Sequence, residues 1–180
     1  KKMWLNRLEN EPLLAIDWLE HPHRDAYWKH GSINENYKGI KAAVLAVGGW
    51  NDAYSNAVPR LVSKIKAPVK GIIGPWAHKY PHFAVPEPRI GFLQEALRWW
   101  DQYLKGQDTG VSAEPAFRTY IMDLYQPGAS VAHIAGRWVN SAKWPSNLVQ
   151  TQRYFLQAHG LSQDEAPSAC ILFRRPSAKW

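Results

Sequence analysis

The sequence has a single cysteine, Cys170, among its 180 residues. No disulfide can form within the chain, which excludes the class of small disulfide-stapled domains. A lone thiol favours a reducing cytoplasm without requiring one. Long apolar runs are also missing, because the longest, 42–47, is far shorter than the about 20 residues that span a bilayer. We therefore expect no transmembrane helix and no membrane partner.

A concentrated basic surface is missing as well, although the formal net charge is +7. Five of the basic residues lie at the two chain ends, namely Lys1, Lys2, Arg174, Arg175 and Lys179. The remaining basic residues nearly balance the 15 acidic ones. Nucleic-acid binding needs Lys and Arg gathered on one face, since affinity comes from displacing many counterions together. We expect no nucleic-acid partner.

Large apolar side chains are abundant. Ten tryptophans and a hydrophobic content of 46% indicate extensive ordered apolar surfaces and exclude a disordered chain. A chain of this length can bury a substantial core. It begins at Lys1 without an initiator Met, and we expect it to be part of a longer protein.

Helical and strand patterns alternate along the first 108 residues. Apolar residues at helical spacing predict helices over 12–20, 53–65 and 91–104. Short apolar runs that end in glycine predict strands over 40–47 and 69–73. Strands separated by a crossover helix are typical of an α/β domain with a parallel sheet.

The pattern changes after Gly110. Alternating segments predict strands over 117–122, 131–139 and 152–156, separated by Pro, Gly, Ser and Asn clusters. We therefore expect a second, all-β region, with the domain boundary within 105–114. Three strands cannot close a sandwich, so this region is expected to be incomplete.

Two polar side chains follow the two predicted parallel strands. The first strand continues into Gly49-Trp50-Asn51-Asp52 and the second into Gly74-Pro75-Trp76-Ala77-His78. Catalytic groups gather at the carboxyl ends of parallel strands, and a carboxylate that orients an imidazole is the acid–base half of a Ser-His-Asp triad. The alternative is that Asp52 caps the helix beginning near Ala53 and that His78 is an ordinary loop residue.

These two segments resemble the motifs of the peptidase S15 and cocaine esterase-like hydrolases, the CocE/NonD or X-Pro dipeptidyl-peptidase-like family. His21-Pro22 and 25–28 are similar to the end of that family's helical cap. Met122, 138–145, and 154–156 before 160–162 are similar to the opening strands of its C-terminal jelly roll. The resemblance implies the end of a cap over 1–30, the C-terminal part of an α/β-hydrolase domain over 31–108, and the N-terminal part of a jelly-roll β-sandwich over 109–180. Asn51 departs from the family pattern, in which an aromatic residue is common at this position.

The resemblance further implies a serine hydrolase that cleaves ester or amide bonds in a small-molecule ester or a short X-Pro peptide. An acyl-serine intermediate is implied and no cofactor. His78 would act as general base and then acid, and Asp52 would orient it.

The nucleophile that such an enzyme needs is absent. Gly-x-Ser-x-Gly, the elbow that carries the serine in α/β hydrolases, occurs nowhere in the sequence. Ser130, in Gly-Ala-Ser-Val-Ala, comes nearest but follows the histidine and precedes a predicted strand. We expect the serine and oxyanion hole to belong to a missing N-terminal part of the same protein, and this chain to be inactive alone.

The remaining candidates have two interpretations each. Trp50 and Trp76 adjoin the proposed catalytic residues, so at least one is predicted to line a substrate pocket, with simple packing as the alternative. His21 and His23 with Asp25 could bind a metal, but a surface cluster without metal is favoured because no further ligand has a familiar spacing. Cys170 is expected to be a small buried apolar residue.

Two further predictions concern tryptophans and the class of protein. One of the adjacent Trp99 and Trp100 is expected to face the core while the other covers a neighbouring domain. The abundance of Trp and the missing serine leave a different function open, a non-catalytic carbohydrate-binding or interaction module that uses the aromatic-rich β region. A homo-oligomer also stays open.

Overall fold

The computed structural model describes residues 1–157 and 160–165. The chain divides into two compact units, residues 1–145 and 146–180. The helices are α1 (Lys2–Asn10), α2 (Leu14–Glu20), α3 (Ala26–Lys29), α4 (Ala57–Lys64) and α5 (Phe92–Lys105). The strands are β1 (Val44–Gly49), β2 (Val69–Gly74), β3 (Phe117–Met122), β4 (Gly136–Ser141), β5 (Phe155–Gln157) and β6 (Gly160–Ser162).

The first unit contains a four-stranded sheet in the order β1-β2-β3-β4. Strands β1 and β2 are parallel and in register from Val44 opposite Val69 to Gly49 opposite Gly74. Strand β3 is parallel to β2, and β4 is antiparallel to β3. The predicted α/β class with a mostly parallel sheet is therefore confirmed, and both predicted parallel strands end at one edge of this sheet.

The structure differs from the expected domain boundary within 105–114. Strands β3 and β4, expected in a separate all-β region, extend the sheet of the first unit, and the chain divides after Pro145 instead. The pairing arises because β3 presents Phe117 to the same core as β2. In the second unit the described residues form the antiparallel pair of β5 and β6. The jelly-roll assignment stays a prediction.

Apolar side chains cover both faces of the sheet. On one face, Val58 and Val62 of α4 pack on Ala46, Ile73 and Phe117. On the other, Ile72 packs with Trp76 and Ala84. Neighbouring residues of a strand point to opposite faces, so Ile72 and Ile73, both fully buried, require cover on both sides. This explains why β2 has two adjacent isoleucines instead of an alternation of apolar and polar residues at these positions.

Helix α5 ends where the sequence predicted. Gly106 adopts the left-handed conformation (φ +68°), which glycine reaches without the steric cost of a Cβ. Of its two adjacent tryptophans, Trp99 is buried (4% exposed) and Trp100 is exposed (57%). The prediction that one of the pair faces the core is confirmed. What covers Trp100 stays a prediction.

Helices α1, α2 and α3 contain no buried residue. They occupy the segment expected to be the end of a cap, and that assignment stays a prediction. Throughout the described residues, every helix is too short or too polar to cross a lipid bilayer.

The buried side chain of Lys70, in β2, pairs with carboxylates of α5 and of the segment before β3. The ammonium of Lys70, whose side chain is 5% exposed, binds the carboxylate of Glu114 and lies 3.7 Å from that of Glu95. Arg98 also binds Glu114, and Arg118 donates to Glu95 at 2.7 Å. Burial raises the pKa of Glu114, but the hydrogen bonds from Lys70 and Arg98 outweigh it, so the pKa lies below its usual value of 4.5. The stability that this pairing contributes is present above that value and lost as the pH falls below it.

Replacing Glu114 by Gln should lower the free energy of unfolding by about 2 kcal/mol, because the buried Lys70 charge then loses its nearest carboxylate. Denaturant unfolding near pH 7 measures this change. The matched control is Glu87→Gln, since Glu87 pairs with Arg89 at 3.4 Å in an exposed setting and should change stability by less than about 0.5 kcal/mol. Equal effects of the two variants would contradict the role given to Lys70.

Candidate active site

The two loops that follow β1 and β2 are bonded to each other. The backbone N–H of Trp50 donates to Gly74 O (2.9 Å), and that of Asn51 donates to Trp76 O (3.0 Å). The Asn51 side-chain amide adds a bond to Pro75 O (2.6 Å). The parallel register thus continues past the strand ends and fixes the distance between the two loops.

Gly49 permits this close approach. A Cβ at residue 49 would lie 1.9 Å from Trp76 O, a backbone atom that cannot turn away. Only glycine fits, which gives the Gly that ends the first strand a steric reason as well as its role as a stop signal.

Asp52 and His78 meet at this edge of the sheet. His78 Nδ1 lies 2.8 Å from Asp52 Oδ2, with the Asp52 side chain 11% exposed and the His78 side chain 80% exposed. An ionised carboxylate can only accept, so Nδ1 carries the proton and donates, and Nε2 of the neutral ring is left as an acceptor. The arrangement gives an oriented imidazole whose basic nitrogen has no hydrogen-bond partner within residues 1–157 and 160–165.

Two further contacts hold this pair. The backbone N–H of Tyr54 donates to Asp52 Oδ1 (3.0 Å), and the Tyr54 ring lies edge-on to the His78 ring at 5.9 Å between centroids. The Tyr54 N–H, followed by the hydrogen bond from His78, lowers the pKa of Asp52 below its usual value of 3.8. Asp52 is therefore an anion throughout the neutral range.

The structure separates Asp52 from the helix that it could have capped. Helix α4 begins at Ala57 after its N-cap Asn56, and residues 51–56 form turns instead of the helix predicted from residue 53. The Asp52 carboxylate instead accepts from a turn N–H with one oxygen and from His78 with the other. The capping alternative does not describe this carboxylate.

A cavity of about 750 Å³ opens beside the pair. Its volume lies within the range of small-molecule sites. Asp52 and His78 lie on its wall. The aliphatic and aromatic side chains that line it include Leu45, Val47, Trp76, Tyr80, Phe83, Phe92, Ala96, Trp99 and Trp100. Most of that wall is apolar. It offers a place for an organic substrate next to the imidazole.

The two tryptophans predicted to line a pocket lie on opposite sides of the sheet. Trp76 reaches the cavity wall but is 1% exposed, and its indole N–H donates to Pro88 O (2.8 Å). Trp50 packs against the core beneath α4, and its indole N–H donates to Tyr120 O (2.8 Å). Both indoles brace the loops that carry the pair. Their substrate role stays a prediction.

The other sequence candidates lie elsewhere. His21 Nδ1 binds Asp25 Oδ2 (2.6 Å), while Ser130 is exposed and does not line the cavity. Within residues 1–157 and 160–165, no three His, Cys, Asp or Glu side chains are grouped as a metal site would need. Cys170 lies outside the described residues.

Known proteins are similar to this chain in sequence and in fold. Residues 1–80, which include Asp52 and end just after His78, match the family model described as X-Pro dipeptidyl-peptidase (S15 family). Two mycobacterial proteins named as candidate serine esterases, from Mycobacterium bovis and Mycobacterium tuberculosis, are each 28% identical over 153 residues. The match over residues 1–80 and the esterase relatives together support an S15 family assignment. The matches cover 81% of this chain and 21% of each relative, so the chain spans about a fifth of their length.

Solved structures of low identity show the same fold. A CocE/NonD family hydrolase from Staphylococcus aureus superposes with a TM-score of 0.64 at 15% identity, over 82% of this chain and 25% of that one. An aminopeptidase from a marine sediment archaeon of the Thaumarchaeota gives 0.57 at 19% identity, over 90% and 28% of the two chains. The α/β architecture of this chain is thus similar to that of these two solved proteins.

Sequence reasoning missed the supporting role of two residues at this site. Asn51 attracted notice only as a departure from the family pattern, yet its amide bonds the histidine loop. Tyr54 attracted none, although its N–H is the main cause of the lowered Asp52 pKa. The Asp-x-Tyr spacing, with a backbone N–H two residues after a turn aspartate, was the available signal.

Gly49→Ala should separate the two loops, because its Cβ would collide with Trp76 O. We expect a loss of about 1–3 kcal/mol of stability, together with loss of the low-field NMR signal of the His78 Nδ1 proton. Gly31→Ala is the matched control, since a Cβ there would meet no atom within 4 Å. An unshifted His78 signal in Gly49→Ala would refute the steric argument.

The Asp52 carboxyl should titrate below 3.8 when followed by carbon NMR, because two hydrogen bonds stabilise its anion. In His78→Ala its pKa should rise but stay below 3.8, since the larger contribution, from the Tyr54 N–H, remains. The pairing therefore holds at neutral pH and is lost as the pH falls through the folded-state pKa. A midpoint at or above 3.8 in the unmodified protein would show that the anion is not held in this way.

Proposed function

We propose that this chain supplies the acid–base half of a serine hydrolase that cleaves ester or amide bonds. The observation that carries the proposal is the 2.8 Å contact of His78 Nδ1 with Asp52 Oδ2, which leaves Nε2 unbonded on the wall of a mostly apolar cavity. The match to the S15 family model and the similarity to serine esterases support a hydrolase and favour it over a carbohydrate-binding module.

In this mechanism, His78 Nε2 takes the proton of a serine hydroxyl while the serine oxygen forms a bond to the substrate carbonyl carbon. Asp52 stabilises the imidazolium that results. The tetrahedral intermediate then collapses, the bond to the leaving group breaks, and Nε2 returns the proton to the departing oxygen or nitrogen. Water repeats both steps on the acyl-serine and restores the free serine.

The serine would belong to a segment of the parent polypeptide outside residues 1–180. No serine of the described residues lines the cavity, and the curated relatives are about five times as long as the matched region. Alone, the chain of 180 residues should form no acyl-enzyme.

Two unpartnered surfaces fit such a segment. Among the described residues, β1 pairs only with β2, although both of its faces are apolar, as in a strand within a parallel sheet. One flank of α5 also exposes a row of apolar side chains, namely Leu93, Leu97, Trp100 and Leu104, by 54–78%. We propose that both surfaces contact the segment that carries the serine, since burying them removes apolar area from water.

His78→Ala and Asp52→Asn, made in the full-length parent protein, should each reduce kcat for ester hydrolysis by about 10³–10⁴-fold. His23→Ala is the matched control, because His23 is exposed and outside the cavity, and its kcat should be unchanged. Activity near the parent level in His78→Ala would reject the proposed base.

The serine can be located independently. A fluorophosphonate that reacts with activated serines should label the parent protein, and mass spectrometry should place the label outside residues 1–180. A label on any serine of this chain would reject the proposed position of the nucleophile, while leaving the role of His78 intact.

A further inference from the structure

Four aromatic rings pack together, three from the segment just after His78 and one from the first residue of α5. They belong to Tyr80, His82, Phe83 and Phe92, which we name the aromatic platform. The Tyr80 ring stacks on Phe92 at 5.9 Å between centroids, and His82 lies parallel to Phe92 at 6.1 Å with an interplanar angle of 7°. Phe83 meets His82 edge-on at 4.6 Å and Tyr80 at 6.0 Å. Each ring is thus held by at least two others.

This packing leaves two of the rings in solvent. Tyr80 is 63% exposed and Phe83 is 48% exposed, and both line the cavity that holds His78. Trp76, in contrast, is 1% exposed and committed to the core. Rigid aromatic faces that stay exposed beside a reactive group are suited to bind a flat apolar group, since they lose little conformational freedom on contact.

The chemistry of the imidazole decides which half of a substrate lies here. As general acid, His78 Nε2 must come within hydrogen-bond distance of the leaving-group atom when that atom departs. The acyl half stays bonded to the serine, whose segment would also supply contacts to that half. Tyr80 and Phe83 belong instead to the loop that carries the general acid, two and five residues after His78, and line the same cavity.

We propose that the aromatic platform binds the leaving group of the substrate, and that the enzyme prefers esters or amides whose leaving group carries an aromatic ring or another flat apolar ring. The proposal rests on the proposed function of His78. It adds Tyr80 and Phe83 as specificity-determining residues.

The test uses the full-length parent protein with three esters, followed by titration of the released acid. Benzyl acetate and methyl acetate differ only in the leaving group, whereas methyl phenylacetate and methyl acetate differ only in the acyl group. The variant is the double substitution Tyr80→Ala and Phe83→Ala. The controls are Tyr80→Phe, which keeps the ring, and Tyr154→Ala, an exposed tyrosine that does not line the cavity.

In the double variant, the ratio of kcat/KM for benzyl acetate to that for methyl acetate should fall about tenfold. The ratio for methyl phenylacetate to methyl acetate should change less than twofold, and both controls should keep the parent ratios. An unchanged benzyl ratio, or an equal fall of both ratios, would overturn the assignment to the leaving group.

A binding measurement separates this proposal from the catalytic one. Saturation-transfer NMR should show benzyl alcohol bound to the parent protein and to His78→Ala, and the signal should be lost in the double variant. If His78→Ala keeps its esterase activity, the proposed function fails. The saturation-transfer signal of benzyl alcohol still shows whether the aromatic platform binds an aromatic ring. Absence of benzyl alcohol binding to the parent protein would overturn the platform whatever the esterase result.

Discussion

The backbone bonds between the two strand-end loops are the constraint on which the rest of the site depends. Neither loop carries a catalytic arrangement by itself, since one holds a carboxylate and the other an imidazole. The bonds from Trp50 N–H to Gly74 O and from Asn51 N–H to Trp76 O carry the register of the parallel strands beyond the sheet. The distance between Asp52 and His78 therefore follows from the spacing of neighbouring strands, about 4.8 Å in any sheet. It also depends on Gly49, which lets the two loops approach each other.

Helix α5 has two flanks of different chemistry, one charged and one apolar. One flank bears Glu95 and Arg98, which join Lys70 and Arg118 in an ion network over β2 and β3. The opposite flank exposes Leu93, Leu97, Trp100 and Leu104, of which Trp100 reaches the cavity wall. Charge pairing is directional and fixes how the helix lies on the sheet, while apolar contact is non-directional and can accept another element. The charged flank therefore positions the helix on the sheet, and the apolar flank can contact another element.

Much of the fold and of the pairing of Asp52 with His78 could be predicted from the sequence. Apolar runs closed by glycine located β1 and β2 to within a few residues, and the position of Asp52 and His78 after those runs implied their meeting, because parallel strands end at one edge. The start of α4 was predicted four residues early, since helical spacing does not register the turn that the Asp52 carboxylate stabilises. The membership of β3 and β4 in the same sheet was missed because alternation indicates a strand but not its partner. The platform was missed for a related reason, since Tyr80, Phe83 and Phe92 become neighbours only through a loop that returns to the start of α5.

Asp52 and His78 both come from one strand–helix–strand unit, within a stretch of 27 residues. Their geometry is therefore local in sequence, although it is tertiary in space. Under the proposed function, this one unit carries the whole path of the proton on the side of the general base. Enzymes that use the proposed mechanism can therefore diverge in the substrates that they attack while inheriting Asp52 and His78 together as a single unit of descent.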